Sequence, residues 1–307
     1  MPRALRLAAG QLGPIARAEP RAAVVARLVA MLERAAADGV QLVVFPELAL
    51  TTFFPRWDLP EGPALDAFYE TAMPNEATAP LFAAAARLGV GFYLGYAELT
   101  ASGRFNTAIL VERDGRIVGT YRKVHLPGTA EPDPGQPVQH LERRYFDPGD
   151  LGFPVFRAFG GLVGMALCND RRWPETYRML ALSGAELILI GYNTPATLSE
   201  MPKHDHLRML HNHLPMQAGA YQNTAFVVGT AKAGIEEGQP LLAGSCIIAP
   251  TGEMLAQAAT EADELAAATI DLDDVFDCRR VNFDFALYRR PDQYRLISEQ
   301  AGARPPP

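Results

Sequence analysis

The sequence lacks the features that mark several large classes of protein. No apolar run approaches the roughly eighteen residues needed to cross a bilayer, which excludes a helical membrane protein. Near the start, Arg6 interrupts the only short apolar stretch and Gln11 soon follows, so no secretory signal core forms and a cytoplasmic location is expected. Long cationic runs are missing as well. With 28 basic against 35 acidic residues the net charge is −7, which leaves no electrostatic footprint for a nucleic-acid partner. Cysteine is scarce and odd in number. Cys168, Cys246 and Cys278 cannot make up a disulfide framework, so at least one thiol needs another explanation. The glycines, Gly160-Gly161 included, match neither a phosphate loop nor a dinucleotide fingerprint, and no Gly-x-Ser-x-Gly elbow is present. Nucleotide cofactors and a serine triad are therefore unsupported.

What is present is material for a large core: 49% of the 307 residues are hydrophobic, and one domain spanning 1–307 is expected. Residues Arg21 to Asp38 place Val24, Leu28, Met31 or Leu32 and Ala35 at helical spacing, with Gly39 as a stop. The run Gln41 to Phe45, bounded by Gly39 and Pro46, reads as a strand buried on both faces. A second helix is expected over Thr78 to Leu88 and a strand over Gly91 to Leu94. A hairpin over 106–111 and 116–121 turns at Asp114-Gly115. A similar hairpin joins Cys246 to Ala249 with Met254-Leu255 through Pro250 to Glu253, which suggests two related halves without a sequence repeat. Between them lie strands at Val163 to Leu167 and Leu187 to Ile190, a helix from Pro174 to Ser183, and helical character around His206 to Tyr221. The proline-rich stretch 127–137 reads as a surface loop, and the tail 304–307 as disordered. Alternating strands and helices with two hairpins indicate an α/β fold with a mixed sheet, or two sheets stacked between helical layers.

In α/β sheets reactive groups collect beyond the carboxyl ends of strands. Four polar residues directly follow apolar runs: Glu47, Lys123, Cys168 and Asn193. Cys168 precedes Asn169-Asp170-Arg171-Arg172-Trp173 and a helix opening at Pro174, so a helix N-terminus and two arginines are expected to lower its thiol pKa and make it a nucleophile. Cys246 and Cys278 lack that setting and read as structural. A partly buried Glu47 would have its pKa raised and could accept the thiol proton, then activate water. Lys123 would supply positive charge beside a tetrahedral oxyanion. The cluster His204, His206, His211 and His213 invites a metallohydrolase reading, but residues two apart on a helix face different ways and no accompanying ligand set completes a zinc pattern, so no metal is expected.

Three motifs, Phe45-Pro46-Glu47, Arg122-Lys123-Val124-His125-Leu126 and Cys168 to Glu175, resemble the nitrilase superfamily in order and over nearly the whole chain. Within it, Leu50 to Trp57, the Asn-Asp-Arg-Arg-Trp segment and Gly191-Tyr192-Asn193-Thr194-Pro195 look like N-carbamoyl-D-amino-acid amidohydrolases. The resemblance implies a four-layer α-β-β-α sandwich, homodimers or homotetramers, and no cofactor. It implies a Glu47, Lys123, Cys168 triad assisted by Glu142, with His125, His140 and His211 in support. Arg171, Arg172, Asn193 and Asn169 would hold a small carboxylate-bearing substrate, for which guanidinium forks are chemically suited. The implied reaction is hydrolysis of N-carbamoyl-D-amino acids to D-amino acids, ammonia and carbon dioxide through a cysteine-bound intermediate. The rivals are another amidase or carbamoyl-amine hydrolase of the same superfamily, the metallohydrolase, and a catalytically silent binding subunit.

Overall fold

The computed structural model describes residues 2–136, 138–197 and 202–305. In chain order the elements that build the layers are β1 (Ala4–Gln11), α1 (Arg21–Ala37), β2 (Leu42–Val44), α2 (Ala79–Leu88), β3 (Gly91–Thr100), β4 (Gly103–Val111) and β5 (Ile117–Arg122). They are followed by β6 (Val155–Ala158), β7 (Gly161–Leu167), α3 (Pro174–Leu182), β8 (Leu187–Tyr192), α4 (Arg208–Asn223), β9 (Phe226–Ala231), β10 (Cys246–Ile248), β11 (Met254–Gln257) and β12 (Glu264–Asp271).

Two mixed sheets result. The first runs β12-β1-β2-β3-β4-β5, with the short strand Tyr69–Glu70 added along β3; the second runs β11-β10-β9-β8-β7-β6. Each has three parallel strands at its centre, β1, β2 and β3 in one and β7, β8 and β9 in the other, flanked by antiparallel strands. The two halves are thus alike in architecture, as the paired hairpins suggest. Between the sheets, Leu7, Leu42, Val44 and Leu110 pack against Met165, Leu167, Leu189 and Val228. On the outer face of the first sheet, Leu28 and Leu32 of α1 and Leu81 of α2 cover Val43 and Phe92. On the other side, Tyr177 and Leu180 of α3 and Met216 of α4 cover Ile188, Ile190 and Val227. The layers are α-β-β-α, the expected sandwich.

The helices fall within a residue or two of expectation, because amphipathic spacing and glycine stops locate them well: α1 ends before Gly39, and Gly89 at φ +66° caps α2. Four of these strands escaped sequence reading, β1, β6, β9 and β12. β1 and β12 pair antiparallel, with Ala8 opposite Ala267 and Ala9 opposite Ala266, and their small residues show no clean alternation. Among the described residues, no helix is long and apolar enough to cross a membrane. Arg304 and Pro305 carry no regular structure, while Pro306, Pro307 and Pro137 lie outside the described residues.

Candidate active site

Glu47 leaves the end of β2 on a tight turn. Phe45 N–H donates to Tyr93 O, Ala49 N–H donates to Gly95 O, and Leu48 adopts φ +46°. Glycine is required where neighbouring strands close on this turn: a Cβ on Gly191 would stand 2.7 Å from Glu47 N, and one on Gly95 2.7 Å from Glu47 Cα. Lys123 follows β5, and its N–H donates to Asn106 O. Cys168 directly follows β7 and opens a short 3-10 helix, Cys168–Arg172, at φ +41°, a strained conformation for a residue with a side chain. Asp170 holds that turn. Its carboxylate accepts from Leu167 N at 3.2 Å, Tyr121 Oη at 2.7 Å and His125 N at 2.9 Å. It also accepts from His125 Nδ1 at 2.7 Å, so Nδ1 carries the proton. The nucleophile's segment is thereby tied to the segment that carries Lys123.

The sulfur of Cys168 and carboxylate oxygens of Glu47 and Glu142 lie within 4.8 Å of one another, all buried. Lys123 Nζ sits between the carboxylates, 2.7 Å from Glu47 Oε1 and 2.5 Å from Glu142 Oε2. The ammonium thus takes the cation position of this cluster. Asn106 Nδ2 donates to Glu47 Oε1 at 2.8 Å, Asn193 N–H to Glu47 Oε2 at 3.1 Å, and His140 Nε2 lies 2.9 Å from Glu142 Oε1.

Burial and charge divide the roles. Burial pushes the Glu47 carboxyl up against the opposing pull of Lys123. Burial acts the same way on Glu142, but Lys123 and His140 together outweigh it and hold Glu142 below the usual range. Lys123 is raised, because against its own desolvation the charges of Glu142 and Glu47, and of Cys168 once it is a thiolate, favour the ammonium. The Cys168 thiol is also raised, by burial and then by Glu47, against the opposing effect of Lys123 and Arg171. This corrects the expectation of a depressed thiol. The resting site holds a neutral thiol beside a basic carboxylate, an arrangement suited to proton transfer at the moment of attack.

Cys168 opens on a cavity of about 140 Å³ walled by Pro127, His140, Asn169, Arg172, Asn193, Thr194, Pro195 and Arg208. Both polar side-chain atoms of Asn193 are buried without a protein partner, and Asn169 Nδ2 donates to His125 O at 3.1 Å. Arg172 has an exposed side chain with no hydrogen bond or ion pair to any described residue. Arg171 corrects the sequence expectation: it is fully buried, does not line the cavity, and gives all three nitrogens to protein acceptors. His211 also departs from expectation. It lies on α4 with its ring edge-on to His204 at 6.4 Å, and makes no hydrogen bond to the triad. The histidine cluster is dispersed: His204 and His206 are exposed, while His213 turns inward against Gly244 O at 2.9 Å. Cys246 is buried in the second sheet, its thiol pushed by burial up to about 12. Sequence reading missed Asn106, Arg208 and Asn212. Asp170 stood inside a quoted motif, which was the one available signal; the others carried none.

A buried thiol with a glutamate base and a lysine cation at strand ends, inside this sandwich, defines a cysteine-dependent hydrolase of carbon–nitrogen bonds. The chain belongs to the carbon-nitrogen hydrolase family, whose sequence signature matches residues 6–280. It is 31% identical over 230 residues, 72% of each chain, to an N-carbamoylputrescine amidase of Solanum lycopersicum. To a nitrilase of Pyrococcus abyssi it is 30% identical over 83% of this chain and 90% of that one. Its fold matches the crystal structure of a carbon-nitrogen hydrolase from Helicobacter pylori G27 with a TM-score of 0.83 and 26% identity, covering 97% and 99% of the two chains.

Proposed function

We propose that this enzyme hydrolyses the ureido carbon–nitrogen bond of small N-carbamoyl compounds that carry a carboxylate, N-carbamoyl-D-amino acids foremost. The observation that carries the carboxylate is the cavity wall: Arg172 and Arg208 face the space beside Cys168, and among the described residues that line it there is no Asp or Glu. Guanidinium matches a carboxylate with paired charge-assisted hydrogen bonds. The ureido group is supported by the N-carbamoylputrescine amidases among the relatives. The preference for the D enantiomer rests on the motifs around Cys168 and Asn193.

In the proposed reaction Glu47 takes the Cys168 proton as sulfur attacks the ureido carbonyl, and the carbonyl electrons move onto oxygen beside Lys123. As the intermediate collapses, the departing nitrogen takes a proton from Glu47 and the C–N bond breaks, leaving an acyl group on sulfur. Glu47 then deprotonates a water, which attacks the same carbon, and the C–S bond breaks to restore the thiol. Loss of carbon dioxide from the carbamic acid completes a sum of one water consumed and one amine, one ammonia and one carbon dioxide released. Glu142, kept ionised by Lys123 and His140, maintains the lysine's charge and position.

A second reading, hydrolysis of N-carbamoylputrescine itself, draws on the relatives' names and on one feature of the structure. A larger cavity of about 320 Å³ shares His140 and Pro195 with the first and includes Asp205, an acid suited to a distal ammonium. The test is one panel of N-carbamoyl-D-amino acids, their L counterparts, N-carbamoylputrescine and simple aliphatic amides. The proposal expects the highest kcat/KM on the D-carboxylates. Faster turnover of N-carbamoylputrescine would transfer the assignment to the second reading, and faster turnover of simple amides would remove both.

A further inference from the structure

We infer that Arg171, held in place by Asn212, is the counter-cation of the Cys168 thiolate and not a ligand of the substrate. Its Nη1 donates to the Cys168 carbonyl at 2.6 Å and stands 3.7 Å from Sγ, within hydrogen-bonding reach of sulfur. Nε and Nη2 both donate to Asn212 Oδ1, at 3.0 and 2.8 Å, and Nη2 also donates to Thr194 Oγ1 at 2.9 Å. The guanidinium lies over the Tyr192 ring, 4.3 Å from its centroid. All these acceptors are neutral. A buried cation without an anionic hydrogen-bond partner is costly, unless an anion forms beside it during the work of the protein. Among the described residues, the one group in hydrogen-bonding contact that can become an anion during the reaction is the Cys168 sulfur. Being fully buried, Arg171 is out of reach of a carboxylate in the cavity.

Asn212 makes this arrangement rigid. Its Nδ2 donates to Tyr192 Oη at 3.0 Å, and Tyr192 in turn donates to Gly244 O at 3.0 Å, so the amide can present only its oxygen to Arg171. Asn212 is a positioning residue, acting on sulfur through the guanidinium. When Glu47 takes the thiol proton, Arg171 keeps all of its own and gains the partner it lacked. The sulfur is also faced by Glu47, Lys123, Glu142 and Arg172, and the guanidinium by Tyr177, Tyr192, Cys246, Arg172 and His213. Burial and Glu47 disfavour the thiolate, whereas Lys123 and Arg171 favour it.

The inference rests on Cys168 as nucleophile and not on the choice of substrate, because alkylation by iodoacetamide requires no substrate. The rate of alkylation would be followed against pH in Arg171→Gln, Asn212→Asp and Arg172→Gln enzymes, with kcat and KM measured on a carboxylated ureido compound and on a simple amide. Arg171→Gln should move the alkylation midpoint upward by about one pH unit, a tenfold loss of thiolate at fixed pH. It should lower kcat on both substrates alike. Asn212→Asp keeps the arginine but gives it a permanent anion, and should move the midpoint the same way, which preserves the test if the first variant does not fold. The inference is overturned if neither variant moves the midpoint, or if Arg171→Gln raises KM for the carboxylated compound alone, as the Arg172 change should.

Discussion

Replacing Lys123 by Met removes the one ammonium between two buried carboxylates. Both ion pairs, at 2.7 and 2.5 Å, have fully buried partners, so no water is available to take over the charge. Breaking a buried pair by deleting one partner typically costs about 3–5 kcal/mol, and two carboxylates sharing one cation argue for the upper end. The loss should depend on pH with a definite sign. In the native enzyme Glu142 is depressed, so its contribution to stability is complete above the ordinary glutamate value and fades only as pH falls through the depressed one. Without Lys123, both carboxyls are pushed above the ordinary value by burial and mutual repulsion. The variant then loses most at pH 8 and recovers part of the loss near pH 5, where protonation relieves the repulsion. Urea unfolding of both proteins at the two pH values measures this directly. The same change should lower kcat by roughly 10²–10³, the usual effect of losing one oxyanion donor. A stability loss below about 1 kcal/mol, or one that grows toward pH 5, would refute the reasoning.

Other expectations follow from the same geometry. Gly191→Ala places a methyl 2.7 Å from Glu47 N, so it should cost about 1–3 kcal/mol of stability by overpacking and reduce kcat more than KM, as seen by calorimetry and steady-state kinetics. Arg172→Gln should raise KM for carboxylated substrates by roughly 10- to 100-fold, the equivalent of charge-assisted hydrogen bonds of about 1.5–3 kcal/mol, and leave simple amides nearly unchanged. Because Glu47 is raised and must be ionised to accept the thiol proton, kcat/KM should fall on the acid side at a pH above the ordinary glutamate value. A profile flat down to pH 4 would contradict this assignment of the base.

Much of this architecture is legible in the residues. Leu42-Val43-Val44 and Leu187 to Tyr192 are apolar runs because each strand is buried on both faces, and Glu47 and Asn193 announce themselves by following such strands, whereas Lys123 follows the half-buried hairpin strand β5. β1 and β12 are hidden for the opposite reason: alanine facing alanine across a tight antiparallel pair gives no alternation to read. Contacts between distant segments were equally invisible. Asn106 reaches Glu47 from a hairpin 59 residues on, and Asn212 reaches Arg171 from α4. The arginines show why a motif can give the charge and miss the job. Adjacent in sequence, Arg171 turns into the protein and Arg172 toward the cavity, because both lie in the 3-10 helix Cys168–Arg172, where neighbours occupy different faces. The thiol's pKa was misjudged likewise, since arginines are visible in sequence and burial is not.

The central claim is that carbon becomes bonded to Cys168 during turnover. Intact-protein mass spectrometry after acid quench, with a substrate carrying ¹³C in the carbamoyl group, tests it most directly. The account predicts an acyl adduct that retains the ¹³C label, located by peptide mapping on Cys168 and lost in Cys168→Ala. Sustained turnover by Cys168→Ala, or an adduct confined to another residue, would contradict it.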